Sequence, residues 1–263
     1  MTQGKRDLHE AVDMFTELSA EKLADPRLQS LLARRPELQQ VLAGKNVWPA
    51  AFDRALVERY ILSMHELGAA VMRALALSLG LPQEHFHEEH LTDDPFWILR
   101  FIHYPAAAHC RDVYGREAEG LGCGEHTDYG CLTIVCQDDT PDSLQVRGKD
   151  GRWLMAQPVP GAFVLNIGDM VEKWTAGRYT STLHRVLPSP PHRSRISVPF
   201  FYEPNALACI RPLQIRPLQW PLQLPAHAPP TATASDYARE VIYIEHLYSK
   251  VSSNFDFQVG VEE

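Results

Sequence analysis

Between Phe96 and Tyr202 the chain is cut into short apolar runs that recur about every eight to twelve residues, split by turn-forming residues. The runs are Phe96–Tyr104, Cys131–Cys136, Ser143–Arg147, Trp153–Met155, Ala162–Ile167, Thr182–Leu187 and Ile196–Tyr202. None is long enough for a stable helix, and each is the length of a strand. Gly148-Lys149-Asp150-Gly151 reads as a hairpin turn, because Asp-Gly tolerates positive φ. This cadence predicts a β-sandwich or double-sheet barrel. At 263 residues, with 45% apolar and 22% charged side chains, the chain can bury such a core without disulfides.

The flanks differ. Residues 8–43 are polar and helix-prone, and Asn46-Val47-Trp48-Pro49 breaks that pattern. A strong helix is predicted over about Phe52–Leu79, with Leu56, Tyr60, Leu67, Val71, Leu75 and Leu79 as its apolar stripe. Gly80 and Pro82 stop it. Residues 203–234 are rich in Pro and Ala and predict irregular chain; a last helix is expected from Ser235 to about Lys250. The layout is mainly β with flanking helices (α+β) in one domain, 1–263. A helical part (1–95) packs on the sheet, the β core spans 96–203, and an irregular segment with the last helix spans 204–263.

The formal charge of −8 argues against a nucleic-acid partner. No apolar stretch is expected to reach the ~18 residues of a membrane span, and the polar start lacks a signal-peptide core. Five cysteines without a C-x-x-C pair read as free thiols, which points to a cytoplasmic location.

Twelve histidines make any single one a weak signal. The cluster His85-Phe-His87-Glu-Glu-His90 lacks the four-residue spacing of a helical zinc pair and reads as a solvated loop. His126-Thr-Asp128 is more telling. Residues two apart in a strand face the same side, and this pair sits at the mouth of the apolar run Cys131–Cys136. His184 falls in another run, and Arg195-Ile-Ser197 opens the next, with Arg195 and Ser197 on one face. A buried Arg needs an anion, and its planar fork suits a carboxylate. Two His and one Asp on one face of a metal leave about three coordination positions open, the arrangement of non-haem Fe(II) oxygenase sites.

These motifs come in a telling order: Asp94-Pro-Phe-Trp-Ile-Leu-Arg-Phe-Ile-His-Tyr104-Pro105, Gly124-Glu-His126-Thr-Asp128-Tyr-Gly130, Gly161-Ala-Phe-Val-Leu-Asn166-Ile-Gly168-Asp169, Ser181-Thr-Leu-His184-Arg-Val186 and Arg195-Ile-Ser197. From about residue 48 to 250 the chain resembles the isopenicillin N synthase-like family of Fe(II)/2-oxoglutarate-dependent oxygenases. The resemblance implies a double-stranded β-helix (jelly roll) core. It implies His126, Asp128 and His184 as iron ligands, and Arg195 and Ser197, with Tyr104, as the holders of 2-oxoglutarate. Fe(II), 2-oxoglutarate and dioxygen would then oxidise a small-molecule substrate with release of succinate and carbon dioxide. Asn166, Gly168 and Asp169 read as a structural turn. Tyr129 and Arg100 are candidates to line the substrate pocket, whereas His103 faces away from Tyr104, and Arg111 reads as surface.

Members of that family begin with an extra strand and helix. This chain shows no such strand before Lys5, so either residues 1–45 replace it or the core lacks an edge strand. Two alternatives stay open on sequence grounds: an iron oxidase of the same fold that uses no 2-oxoglutarate, and a non-catalytic jelly-roll binding protein. Substrate identity and oligomeric state do not follow from the residues.

Overall fold

The computed structural model describes residues 7–42, 44–110, 120–213 and 240–254. Its strands are β1 (Glu10–Phe15), β2 (Trp97–Tyr104), β3 (Cys123–His126), β4 (Leu132–Gln137), β5 (Leu144–Arg147), β6 (Trp153–Met155), β7 (Val164–Ile167), β8 (His184–Val186), β9 (Arg195–Tyr202), β10 (Cys209–Ile210) and β11 (Val241–Ile242). Its α-helices are α1 (Ala20–Leu23), α2 (Pro26–Arg34), α3 (Gln39–Leu42), α4 (Arg54–Ser78), α5 (His85–Glu88), α6 (Asp169–Trp174) and α7 (Tyr243–Asn254). A five-stranded sheet runs β1-β2-β9-β4-β7 and a four-stranded sheet runs β3-β8-β5-β6, all neighbours antiparallel.

Strand alternation sends side chains to two different cores. On the five-stranded sheet, Met14, Leu99, Leu132, Ile134, Phe200 and Tyr202 face outward and join the helices in the main core. From α4 this core takes Val57, Ile61, Met64, Met72, Leu75 and Ala76. Gly68 lies in the same stripe, where an added Cβ would collide with the Tyr202 ring, so its missing side chain sets how closely α4 sits on β9. The opposite face of the sheet points at the four-stranded sheet. There Ile102 and Tyr104 of β2 meet Leu144 of β5 and Val186 of β8, with Cys123 and Val164 beside them. This second cluster is the interior of the barrel.

Several expectations need correction. Glu10–Phe15 is a strand, not helix: it pairs with β2 from Glu10↔His103 to Phe15↔Ile98 and fills the sheet edge. Helices occupy only Ala20–Leu42 of the stretch read as helix-prone. Early in α4 the buried stripe is rotated by one residue from the expected one, so Leu56 is 55% exposed and Val57 is buried, while Leu75 and Leu79 are buried as expected. This helix is also long and apolar enough, by length and composition alone, to cross a membrane, contrary to the expectation from the sequence; here one face packs on the sheet. His85–Glu88 forms a helical turn with Phe86 buried, not a loop. The expected helix start at Ser235, most of the irregular segment and Arg111 lie outside the described residues. Val241–Ile242 pairs with β10, and the last helix begins at Tyr243. The hairpin at Gly148–Gly151 is as expected, with Gly151 at φ +79 and its N–H donated to the Gly148 carbonyl at 2.9 Å.

Candidate metal and co-substrate site

His126 ends β3 and His184 opens β8, and the two are direct cross-strand partners. Their ring centroids lie 4.3 Å apart. Asp128 follows in the loop after β3, with Oδ1 at 3.9 Å from His126 Nε2 and 3.6 Å from His184 Nε2. The three donor atoms fall within 4.8 Å of one another, the one such cluster among the described residues. His184 and Asp128 are buried, while His126 keeps a partly exposed edge.

Both imidazoles turn their Nε2 atoms to the cluster. His126 Nδ1 lies 2.8 Å from the Gly124 carbonyl and His184 Nδ1 lies 2.9 Å from the Thr182 carbonyl. A carbonyl only accepts, so each Nδ1 carries the proton and each Nε2 presents its lone pair to the cluster. Burial, with His126 nearby, lowers the His184 pKa against the pull of Asp128, which favours the neutral ring a metal requires. Asn166 Nδ2 donates to Asp128 Oδ2 at 3.0 Å, turning the other carboxylate oxygen toward the histidines.

Asn166 is therefore not part of a turn. It sits in β7, on the same face as Val164, and donates to the Asp128 carboxylate in the loop that leads into the neighbouring β4. The turn begins one residue after Ile167. Gly168 caps α6, and the N–H groups of Gly168, Asp169 and Met170 donate to the carbonyls of Cys131, Asp128 and Gly130 at 2.8, 2.8 and 2.9 Å. The start of α6 thus holds the ligand loop by its backbone. Beneath Gly130 lies a further pair that sequence reasoning missed. Glu203, wholly buried, accepts a short hydrogen bond from the Tyr243 hydroxyl of α7. Burial pushes the Glu203 carboxyl up to about 8, with Tyr243 opposing and Asp128 and Asp169 adding to the rise.

The second half of the site lies on β9 and β2. Arg195 pairs with Tyr104 and Ser197 with Ile102, so Arg195, Ser197 and Tyr104 share the interior face. All three are buried. The Arg195 Cζ stands 5.0 Å from the Tyr104 ring centroid, and Nη2 donates to Gln137 Oε1 at 2.9 Å. Its Nε and Nη1 have no hydrogen-bond partner among the described residues. A buried guanidinium with two orphaned donors and no carboxylate hydrogen-bonded to it is costly unless an anion completes it. Burial, then Cys123, raises the Tyr104 phenol to about 12, so its proton stays available for donation. Donor set and orphaned N–H groups therefore fit Fe(II) and a dicarboxylate such as 2-oxoglutarate.

Two of the predicted pocket residues have other contacts. Arg100 faces the interior side of β2, but its Nε and Nη2 are committed to both oxygens of Asp13 on β1, at 2.7 and 2.8 Å. Tyr129 packs on the main core with Lys250 Nζ 5.5 Å from its ring, on the α7 side of the ligand loop rather than in the barrel. His103 faces away from Tyr104, as expected, and is exposed beside Glu10.

Residues 97–204 match the sequence pattern of the 2OG-Fe(II) oxygenase superfamily. Homoarginine-6-hydroxylase 2-ODD-233 of Oryza sativa is 40% identical over 97% of this chain and 70% of its own length. The chain belongs to the 2OG-Fe(II) oxygenase superfamily. A second relative of this oxygenase, Homoarginine-6-hydroxylase 2-ODD-C23.1 of Arabidopsis thaliana, is 38% identical over 97% of the chain and 70% of its own. Among solved structures, a full-length Neurospora crassa protein in complex with alpha-KG superposes with a TM-score of 0.67 at 25% identity, over 94% of this chain and 66% of that one. A 2OG-Fe(II) oxygenase family protein from Caulobacter crescentus gives 0.67 at 27%, over 95% and 71%. The two facing sheets of this oxygenase are the family's jelly roll, and the cofactors of the family are Fe(II), 2-oxoglutarate and dioxygen. The chain spans about two thirds of the Neurospora crassa chain it matches.

Proposed function

We propose that this oxygenase hydroxylates a small molecule, with a guanidino amino acid of the homoarginine type as the first substrate class, and couples this to conversion of 2-oxoglutarate into succinate and carbon dioxide. The observation that carries the reading is the pairing of the His126/Asp128/His184 cluster with the orphaned Arg195 donors on strands that line one barrel interior. The names of the relatives from rice and Arabidopsis support the substrate class.

In this reading His126 Nε2, His184 Nε2 and an Asp128 oxygen would hold Fe(II). Asn166 fixes the carboxylate, and the Gly124 and Thr182 carbonyls fix the two tautomers. Arg195 Nε and Nη1 would bind a carboxylate of 2-oxoglutarate, with the Ser197 and Tyr104 hydroxyls as further donors. Bound there, Fe(II) with 2-oxoglutarate would supply the oxidation by dioxygen, in which one oxygen atom would go to the substrate C–H and the other to succinate. The protein orients the reactants and keeps water from the buried Arg195 end.

The test is succinate release with Fe(II) and 2-oxoglutarate across homoarginine, arginine, lysine and thymine, the last being a molecule bound in a solved relative. Stimulation by a guanidino amino acid, with one oxygen gained by that substrate in mass spectrometry, is the expected result. Stimulation by thymine alone would overturn the substrate class. Iron-dependent substrate oxidation without succinate would replace the reading with an oxidase.

A further inference from the structure

The segment ahead of β1 crosses the open edge between the two sheets. The Leu8 N–H donates to the Leu121 carbonyl at 2.9 Å. His9 Nδ1 lies 2.7 Å from the Gly122 carbonyl, and its ring meets the Tyr104 ring edge-on at 5.6 Å. Asp7 Oδ1 accepts the Gly124 N–H at 2.9 Å. From Glu10 the same segment becomes β1 and pairs with β2. Residues 7–15 thus strap the strand that carries His126 to the strand that carries Tyr104.

Gly124 is where the strap meets the metal site. The register between β3 and β8 shifts between Cys123 and His126, so the ladder pairs Cys123 with Val186 and His126 with His184 but neither Gly124 nor Glu125 with any residue. Such a bulge leaves backbone groups for other partners. Asp7 takes the Gly124 N–H, and the Gly124 carbonyl takes His126 Nδ1. One residue therefore links the Asp7 carboxylate to the His126 imidazole.

We infer that Asp7 is a positioning residue for Fe(II): it holds the bulged Gly124 peptide so that the Gly124 carbonyl fixes the His126 ring. The inference rests on the reading of His126 as an iron ligand. Groups that orient a ligand are worth about 10- to 100-fold in metal affinity. Asp7 acts one bond further out, so Asp7→Ala weakens Fe(II) binding about 3- to 10-fold. Asp7→Asn keeps an accepting oxygen and stays within about 2-fold of the parent.

The experiment is anaerobic equilibrium dialysis of the full chain against Fe(II) alone, with circular dichroism and Tm recorded for each variant. Weaker Fe(II) binding in Asp7→Ala with rescue in Asp7→Asn supports the inference. A lowered Tm with parental Fe(II) affinity overturns it, because Asp7 is then only a structural staple. Equal losses in Asp7→Ala and Asp7→Asn also overturn it, since the accepting oxygen is not what matters. Should Asp7→Ala fail to fold, Asp7→Ser, whose hydroxyl is too short to reach Gly124, takes its place with the same outcomes. A parent that binds no Fe(II) removes the ligand reading itself, a failure distinct from the others.

Discussion

Glu203→Gln isolates one buried carboxyl under the metal loop. The side chain fills the space that Gly130 leaves by lacking a Cβ, and its pKa stands at about 8 against an ordinary 4.5. Between these values the folded chain keeps the Glu203 proton while the unfolded chain has released it. The unfolded state then binds fewer protons, so this group's contribution to stability is greatest below pH 4.5 and falls as pH rises toward 8. Each pH unit inside that window costs about 1.4 kcal/mol, so pH 5 to 7 costs at most about 3 kcal/mol. Gln carries no titrating proton and removes this slope. The assay is urea unfolding of the metal-free parent and variant at pH 5, 6 and 7. The difference in unfolding free energy should move in favour of the variant by up to about 3 kcal/mol over the range. Parallel pH profiles would refute the reasoning, since Glu203 would then be ionised in the fold or open to water.

Three further substitutions probe other links. Arg195→Ala removes the buried cation. Loss of one partner of a buried charge pair costs about 2–5 kcal/mol, so calorimetry should show 2-oxoglutarate binding weakened about 30-fold or more, with Fe(II) affinity near the parent. Asn166→Ala frees Asp128 Oδ2 and should weaken Fe(II) binding about 10- to 100-fold, read by metal dialysis; unchanged affinity would make the 3.0 Å contact incidental. Gly68→Ala forces a methyl against Tyr202 and should cost about 1–3 kcal/mol of stability, measured by denaturant unfolding; a neutral result would mean that α4 can lift from β9 without penalty.

The legible part of the fold was the part fixed by local pattern. β2, β4, β6 and β9 announce themselves because apolar alternation and turn residues bracket them within the chain. β1 does not, because Glu-Ala-Val-Asp-Met-Phe buries only Met14 fully and owes its strand conformation to pairing with β2 across about 88 residues of sequence. The face of α4 was ambiguous for a related reason. Leucine and alanine surround much of that helix, so the sheet and not the periodicity decides that Val57 turns inward and Leu56 outward.

The site divides in the same way. Arg195 and Ser197 are two residues apart in β9, so strand parity alone aligns them. Asp128 lies just past the end of β3, two residues from His126, and its loop is held by Asn166 and the Asp169 N–H. Asn166 reaches Asp128 from a strand 38 residues on, and Tyr243 reaches Glu203 over 40 residues. Gln137 meets Arg195 because β4 lies beside β9. Such partners are products of sheet order, which no short motif encodes. Arg100 shows the converse: strand parity placed it on the interior face, but only the presence of β1 reveals that Asp13 already engages it.

The central claim is that His126, Asp128 and His184 hold Fe(II) within reach of a 2-oxoglutarate anchored by Arg195. The direct measurement is visible absorption of the protein under nitrogen as Fe(II) and then 2-oxoglutarate are added. The account predicts a weak charge-transfer band of an iron-chelated 2-oxo acid, absent in His184→Ala and weakened in Arg195→Ala. Folded parent protein that binds Fe(II) and 2-oxoglutarate but gives no band, or a band that survives His184→Ala, would contradict it.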